Sequence, residues 1–261
     1  MNHQGLDSLK DIINRLGDDS YWEPFCNDEK LVDEFNKKLQ LVKASQSWPK
    51  EKNKEKGNAL EELVKFIFSR FTIIESIERD KHTNDNEIDI HVDFNKNLMN
   101  IFFTDIKGKL ICECKNTSKS VDVGMVSKLV ELCDKNHAGL GIFISLKGLS
   151  KGRGGSLWKN AEGKRRKLYL STAIPIISFK LNDIECLGEE GNNFYTMIKQ
   201  KVSYLIDEIK EDSTTLELLK KEEGDFKEYL YGNLNALEHL NLISTDEKVE
   251  IIGRIKRKYG E

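Results

Sequence analysis

The sequence predicts an α/β domain at about residues 57–187, with helical regions at 1–56 and 188–261 on either side. Three observations predict it. Apolar residues alternate with polar ones at period two over 87–94, beside further strand-like runs at 73–80 and 101–116. Helical spacing brackets these runs at 59–71 and 123–136. The order is helix, strands, helix, strand, basic segment, strand, which builds a sheet covered by helices.

Each element follows from its residues. Over 1–56, Leu9, Ile12, Ile13 and Leu16 recur at helical spacing, as do Leu31, Val32, Phe35 and Leu39, extended by Leu41 and Val42. Residues 49–58 form a charged connector ending on Gly57. Residues 59–71 read as an amphipathic helix and 73–80 as a strand. A polar turn at 81–86 precedes strand 87–94. Residues 95–100 read as a hairpin-type turn, and 101–116 as strand throughout, kinked or turned at Gly108-Lys109. Helix 123–136 and a short buried strand at 138–146 follow. Residues 147–167 are rich in Gly, Lys and Arg, and 174–181 read as a strand. From 191 the spacing is helical again: Tyr195, Ile198, Val202 and Ile206, then Leu216, Leu218 and Leu219, then Leu230, Leu234, Leu237 and Leu240. No internal repeat or low-complexity tract interrupts this order.

The chain has 261 residues, 38% hydrophobic and 33% charged, with a formal net charge of −3. That balance does not advertise nucleic-acid binding, but a local basic patch is enough to hold a phosphate backbone. No apolar run approaches the ~20 residues needed to span a bilayer. The first residues are polar and acidic, without the apolar core of a signal peptide. The five cysteines, Cys26, Cys112, Cys114, Cys133 and Cys186, are scattered and form no CxxC pair. Neither a zinc site nor a disulfide framework is therefore expected, and a reducing cytoplasm is the expected location.

The chemistry concentrates at Ile111-Cys112-Glu113-Cys114-Lys115-Asn116. In a strand, residues two apart share a face. Glu113 and Lys115 therefore lie together on one face, and the small thiols Cys112 and Cys114 on the packed one. In 87–94 the same alternation groups Asp89 with Glu87 and His91, opposite Ile88, Ile90 and Val92. If these two strands pair, Asp89 and Glu113 converge. Two carboxylates within ~4 Å repel unless a cation sits between them, and oxygen ligands of this kind suit Mg²⁺ or Mn²⁺. Lys115 can orient or deprotonate an attacking water, or stabilise charge on a phosphate. An isolated E-x-K pair is more often a solvent-facing ion pair worth under ~1 kcal/mol. The combination with Asp89 and with a helix on either side favours the functional alternative.

In this combination the sequence resembles the PD-(D/E)xK nuclease superfamily, in particular its Mrr-like restriction endonuclease branch. Gly57-Asn58-Ala59-Leu60-Glu61-Glu62-Leu63-Val64 is similar to the family's first helix. Glu87-Ile88-Asp89-Ile90 resembles the strand with the central Asp, and Glu113-Cys114-Lys115-Asn116 the E-x-K half. Val123-Gly124 with its helix, the strand 141–145 and Gly148 resemble the continuation. The resemblance covers roughly 57–187. It implies a restriction-endonuclease-like core, a central mixed sheet flanked by helices. It also implies metal ligation by Asp89, Glu113, the Cys114 carbonyl and Glu61, in whose place Glu62 competes, and a nucleophilic water positioned by Lys115. The implied reaction is Mg²⁺- or Mn²⁺-dependent phosphodiester hydrolysis, with DNA favoured over RNA, in restriction or anti-phage defence. Related nucleases often carry a Gln on the helix after E-x-K; 117–140 contain none, and Lys128 or Glu131 takes that face.

Lys147, Lys151, Arg153, Lys159, Lys164, Arg165, Arg166 and Lys167, opposed only by Glu162, form the candidate phosphate-backbone surface. The alternative is a solvated loop and helix face. Trp158 is either a base-stacking residue or a core anchor. His82, His91 and His137 read as structural or surface residues, although His91 shares the Asp89 face. Gly152, Gly154 and Gly155 lack the context of a phosphate loop. The helical ends, including Arg254, Lys256, Arg257 and Lys258, are candidate contacts for DNA or a partner protein, or a structural cap. Cutting both strands of a duplex takes two active sites, so a homodimer is the expected assembly. A nucleic-acid-binding module that kept the fold without activity is the competing class.

Overall fold

A computed structural model describes residues 17–82, 87–151, 160–211, 234, 238 and 244–259. Within them five strands form one mixed sheet in the order β1-β2-β3-β4-β5. The strands are β1 (Ile74–His82), β2 (Glu87–Phe94), β3 (Lys109–Lys115), β4 (Leu140–Ser145) and β5 (Ile176–Lys180). β1, β2 and β3 run antiparallel, while β3, β4 and β5 run parallel. The parallel pairs need crossovers, and helices α4 (Val123–Lys135) and α5 (Ala161–Thr172) supply them. This is the expected fold class.

The remaining helices are α1 (Glu29–Ser45), α2 (Asn53–Phe68), α3 (Ile101–Asp105), α6 (Leu181–Glu185), α7 (Phe194–Glu211) and α8 (Thr245–Tyr259). Their starts follow ordinary capping chemistry. The Asp122 side chain accepts from the Met125 N–H at 2.9 Å to open α4, and Asn160 accepts from the Gly163 N–H at 2.8 Å to open α5.

Two apolar layers cover the sheet. The larger joins Ile90, Val92, Cys112, Cys114, Ile142, Ile144 and Phe179 to residues of α1, α2, α6 and α7, among them Phe35, Leu39, Leu60, Leu63, Ile184 and Phe194. The smaller packs Ile88, Ile111, Phe143 and Ile176 against Val126, Leu129 and Cys133 of α4 and Ala161 of α5. Burial of large apolar side chains on both faces, each worth about 1.5–3 kcal/mol, is what fixes the central strands.

The structure corrects one element. Residues 101–105, expected as strand, form the short helix α3, so the β2–β3 connection is longer than a hairpin turn. The Asn100 side chain accepts from the Phe103 N–H at 3.2 Å and starts this turn of helix, which buries Phe103. Lys107 (φ 57°) and Gly108 (φ 64°) then reverse the chain, so the strand begins at Lys109. Gly139 pins β4 beside this turn: its N–H donates to the Ile106 and Lys109 carbonyls, both at 3.1 Å. A Cβ there would lie 2.4 Å from the Ile106 carbonyl carbon, which only glycine avoids.

Among the described residues, 17–151 and 160–207 lie in one compact unit, and 208–211, 234, 238 and 244–259 in a second. The expected border at residue 57 falls inside α2, and α1 shares the large core with the sheet. In the second unit, Lys248 on α8 pairs with Glu238, with Nζ 2.5 Å from Oε2. No described helix is long and apolar enough to cross a membrane.

Candidate active site

Alternation along β3 does what the sequence suggests. Cys112 and Cys114 are buried in the large core. Glu113 and Lys115 point to the opposite face, the one α4 packs on, where Glu113 is 5% exposed. The Lys115 Nζ donates to Glu113 Oε2 at 2.9 Å and lies 3.6 Å from Asp89 Oδ2. Antiparallel pairing brings this about, because it sets the start of β2 beside the end of β3, with Ile90 opposite Cys112.

Asp89 is tied into the sheet as well. Its Oδ2 accepts the Cys114 backbone N–H at 2.6 Å, a place where a ladder carbonyl would ordinarily serve. On the neighbouring strand Asp80 has φ 52°, a left-handed conformation uncommon for a residue with a Cβ.

Glu61 approaches from α2. It lines a cavity of about 610 Å³ together with Lys54, Asn58, Arg79, Asp80, Glu87 and Asp89. Its neighbour Glu62 turns outward, with its side chain 50% exposed, and pairs with Arg79 Nη1. The Arg79 Nε donates to Asp80 Oδ2 at 2.9 Å and stands 3.7 Å from Glu61 Oε2. Arg79 and Asp80 were not singled out in the sequence. They lie at the end of a strand with no motif, and only the fold brings them against Glu61.

The electrostatics are those of crowded carboxylates. Burial, then the charges of Asp89 and Asp80, pushes the Glu61 carboxyl up to about 7. Burial and Asp89 also raise Glu113, against the pull of Lys115 and Lys128. For Lys115, burial acts to lower the affinity for its proton, but Asp89 and Glu113 outweigh it and hold the ammonium charged. The Cys114 thiol is held protonated by burial, so it supplies no thiolate ligand.

Two oxygens in this cluster, Glu61 Oε2 and Glu113 Oε1, are buried without a hydrogen-bond partner. Unsatisfied buried carboxylate oxygens are costly and call for an explanation such as a bound ion. Among the described residues no group of three His, Cys, Asp or Glu side chains converges closely enough to hold a metal. Lys115 Nζ, placed between Asp89 and Glu113, occupies the cationic position. The donors nearby are all hard oxygens, so the residues suit Mg²⁺ or Mn²⁺.

The other predicted residues divide. Lys147 and Lys151 lie exposed on the loop after β4. Lys164, Arg165, Arg166 and Lys167 are half-buried on α5 and engaged within the protein. Arg165, for one, donates to Glu162 at 2.7 Å. Arg153, Trp158 and Lys159 lie outside the described residues, as do the side chains of Arg254, Lys256, Arg257 and Lys258. On α4, Lys128 is the residue whose charge bears on Glu113, while Glu131 is exposed and pairs with Lys135 at 2.6 Å. His91 is buried with Nδ1 3.4 Å from Asp93 Oδ2, and burial lowers its affinity for a proton. His137 is exposed, with φ 55°.

The last residue of the E-x-K segment makes contacts that its spacing does not reveal. Asn116, next to Lys115, donates from Nδ2 to the Lys56 carbonyl at 2.6 Å and to Ser45 Oγ at 3.1 Å. It accepts from Gln46 Nε2 at 2.5 Å. Ends of α1, α2 and β3 are thereby clamped beside the carboxylates.

Residues 53–153 match the restriction endonuclease family Mrr_cat. No curated protein matches the chain. The matched segment contains Glu61, Asp89, Glu113 and Lys115 and four of the five strands. With its mixed sheet, the matched segment is similar to a restriction-type nuclease domain and consistent with the Mrr-like PD-(D/E)xK family.

Proposed function

We propose that the protein is a divalent-metal-dependent endonuclease that hydrolyses phosphodiester bonds in DNA, in a restriction or anti-phage defence role. The observation that carries this reading is the pair of buried carboxylate oxygens on Glu61 and Glu113 that lack a hydrogen-bond partner, both near the charge of Asp89. Asp89, Glu113 and the Cys114 carbonyl would hold Mg²⁺ or Mn²⁺, with Glu61 holding a bound water or a second ion. Such an ion supplies Lewis-acid polarisation of the phosphate and a more acidic water. Lys115, kept charged by Asp89 and Glu113, stabilises negative charge on the phosphate and orients the attacking water rather than taking its proton. Arg79 holds Asp80 beside Glu61. DNA and a defence role rest on the family alone.

The test is cleavage of supercoiled plasmid, linear duplex, single-stranded DNA and RNA with Mg²⁺, Mn²⁺ or EDTA. Cleavage should need the ion. Lys115→Ala and Glu113→Gln should lower it on the order of 10²–10³-fold, as loss of a charge-stabilising group does. Absence of cleavage in every format, or cleavage indifferent to both substitutions, overturns the reading. Salt-dependent binding without cleavage would instead mark a nucleic-acid-binding module.

A further inference from the structure

A second cavity, of about 490 Å³, opens at the carboxyl ends of the parallel strands and is lined by four lysines, Lys147, Lys151, Lys180 and Lys201. Its carboxylates are already paired. Glu162 accepts from Arg165 at 2.7 Å, and Asp183 lies 3.1 Å from Lys201 Nζ. Among the described residues, no carboxylate lies within 4.0 Å of the ammonium groups of Lys147, Lys151 and Lys180. Three lysines around one concavity, with no carboxylate partner among the described residues, make a site for a multiply charged anion. The Ser178 hydroxyl on the wall is buried and has no hydrogen-bond partner.

The wall is built. Val121 donates to the Gly148 carbonyl at 3.0 Å, and Ser150 donates to the Val121 carbonyl at 2.9 Å. Ser145 Oγ accepts from the Gly148 N–H at 2.9 Å. Gly148, at φ 71°, lies against the Lys180 stem so closely that a Cβ would come 3.1 Å from Lys180 Cε. The loop and the lysine thus hold each other in place.

Register ties this cavity to the candidate active site. Lys115 pairs with Ser145 and Ser145 with Lys180, while Glu113 pairs with Phe143 and Phe143 with Ser178. Lys180 therefore stands in the Lys115 row, and Ser178 in the Glu113 row, on the same sheet face. Two strand spacings separate them, roughly 10 Å. The crevice beyond the carboxyl ends of parallel strands is a general place for ligands in α/β sheets. We propose that the Lys147–Lys151–Lys180–Lys201 cavity binds one backbone phosphate of the nucleic-acid strand, a few nucleotides from the scissile bond, and so sets where the strand lies over Lys115.

This inference rests on the nuclease reading for its ligand, but binding tests it apart from cleavage. Full-length protein in EDTA is titrated against a fluorescent duplex over a range of salt concentrations. Lys147→Gln/Lys180→Gln should weaken binding about tenfold and flatten the log–log salt slope by about one, the loss of one phosphate contact. The control Lys37→Gln/Lys96→Gln, which removes two exposed lysines elsewhere, should stay within about twofold. A series of duplexes, each with one neutral methylphosphonate, should reveal one position that weakens wild type and leaves the double variant unaffected. Thermal melting checks that the variants fold. Equal losses in both double variants, no position-specific methylphosphonate effect, or no wild-type binding each overturn the proposal. So does tight binding of dAMP or inorganic phosphate with unchanged duplex affinity, which identifies a free-phosphate site. If pocket-dependent binding persists without cleavage by wild type, the nuclease reading fails and the pocket stands. If wild type cleaves and the double variant binds normally, the pocket fails and the nuclease reading stands.

Discussion

Glu61 holds a proton near neutrality because burial and the charges of Asp89 and Asp80 push its carboxyl up to about 7. In the unfolded chain the same group ionises near its ordinary value of 4.5. Between those values the folded protein binds a proton that the unfolded chain has released. Without metal, stability should therefore fall as pH rises through that window, with the penalty absent below it and complete above it. Thermal melts in EDTA from pH 5 to pH 8 should show a falling midpoint. Glu61→Gln, which is neutral throughout, should flatten the fall. A midpoint that rises with pH, or a slope that Glu61→Gln leaves unchanged, would count against this account. Glu113 is raised by burial and Asp89 as well, so some slope will survive the substitution. At this scale the sequence was informative about Glu113 and Lys115, because period-two alternation dictates their common face. It was silent about Arg79 and Asp80, because nothing local marks a residue whose partner sits on a helix eighteen positions earlier.

At the scale of elements, Asn116 couples three of them. Its amide meets the Lys56 carbonyl before Glu61 on α2, Ser45 at the end of α1 and Gln46 just beyond it. Asn116→Ala should deprive the buried Ser45 hydroxyl and the part-buried Lys56 carbonyl of this partner, at a cost of about 1–3 kcal/mol. Urea denaturation measures that loss, and a change below about 0.5 kcal/mol would show that water replaces the amide without penalty. The strands and long helices were legible because their periodicity is long and regular. The Gln46–Asn116 contact spans 70 positions and leaves no trace in spacing. Helix α3 was missed for a different reason. Five residues are too few for a helical period to appear, and Ile101, Phe102 and Phe103 favour a strand by propensity. The Asn100 cap and the Lys107–Gly108 reversal decide the outcome.

At the scale of the molecule, the sheet is covered on its larger face by residues from well outside 57–187. Trp22, Phe25, Phe35, Leu39 and Val42 come from before it, and Phe194, Tyr195 and Ile198 from after it. Removing them would expose the apolar face of β2, β3 and β4. A fragment of residues 57–187 should therefore show no cooperative thermal transition, while residues 17–207 should unfold cooperatively. Circular dichroism melts distinguish the two, and a cooperative 57–187 fragment would sink this expectation. The sequence gives little warning of the difference, since α1 and α7 carry the same apolar spacing that any surface helix has. Their place in the core depends on which face the sheet leaves uncovered, and that is set by the topology.

The Asp89 carboxylate, which accepts the Cys114 N–H, also bears on how this fold would age. If the proposed nuclease activity were lost in a descendant, position 89 would still need an acceptor to keep the end of β3 in place. Selection for folding alone would preserve Asp or Asn there long after selection for chemistry had ended. Glu113 Oε1 and Glu61 Oε2 accept no hydrogen bond, and their carboxylates meet the fold through ion pairs with Lys115 and Arg79 instead, so folding would ask less of those two positions. Under the proposed nuclease function, residues 61 and 113, rather than 89, would then register a loss of activity in a lineage of such proteins.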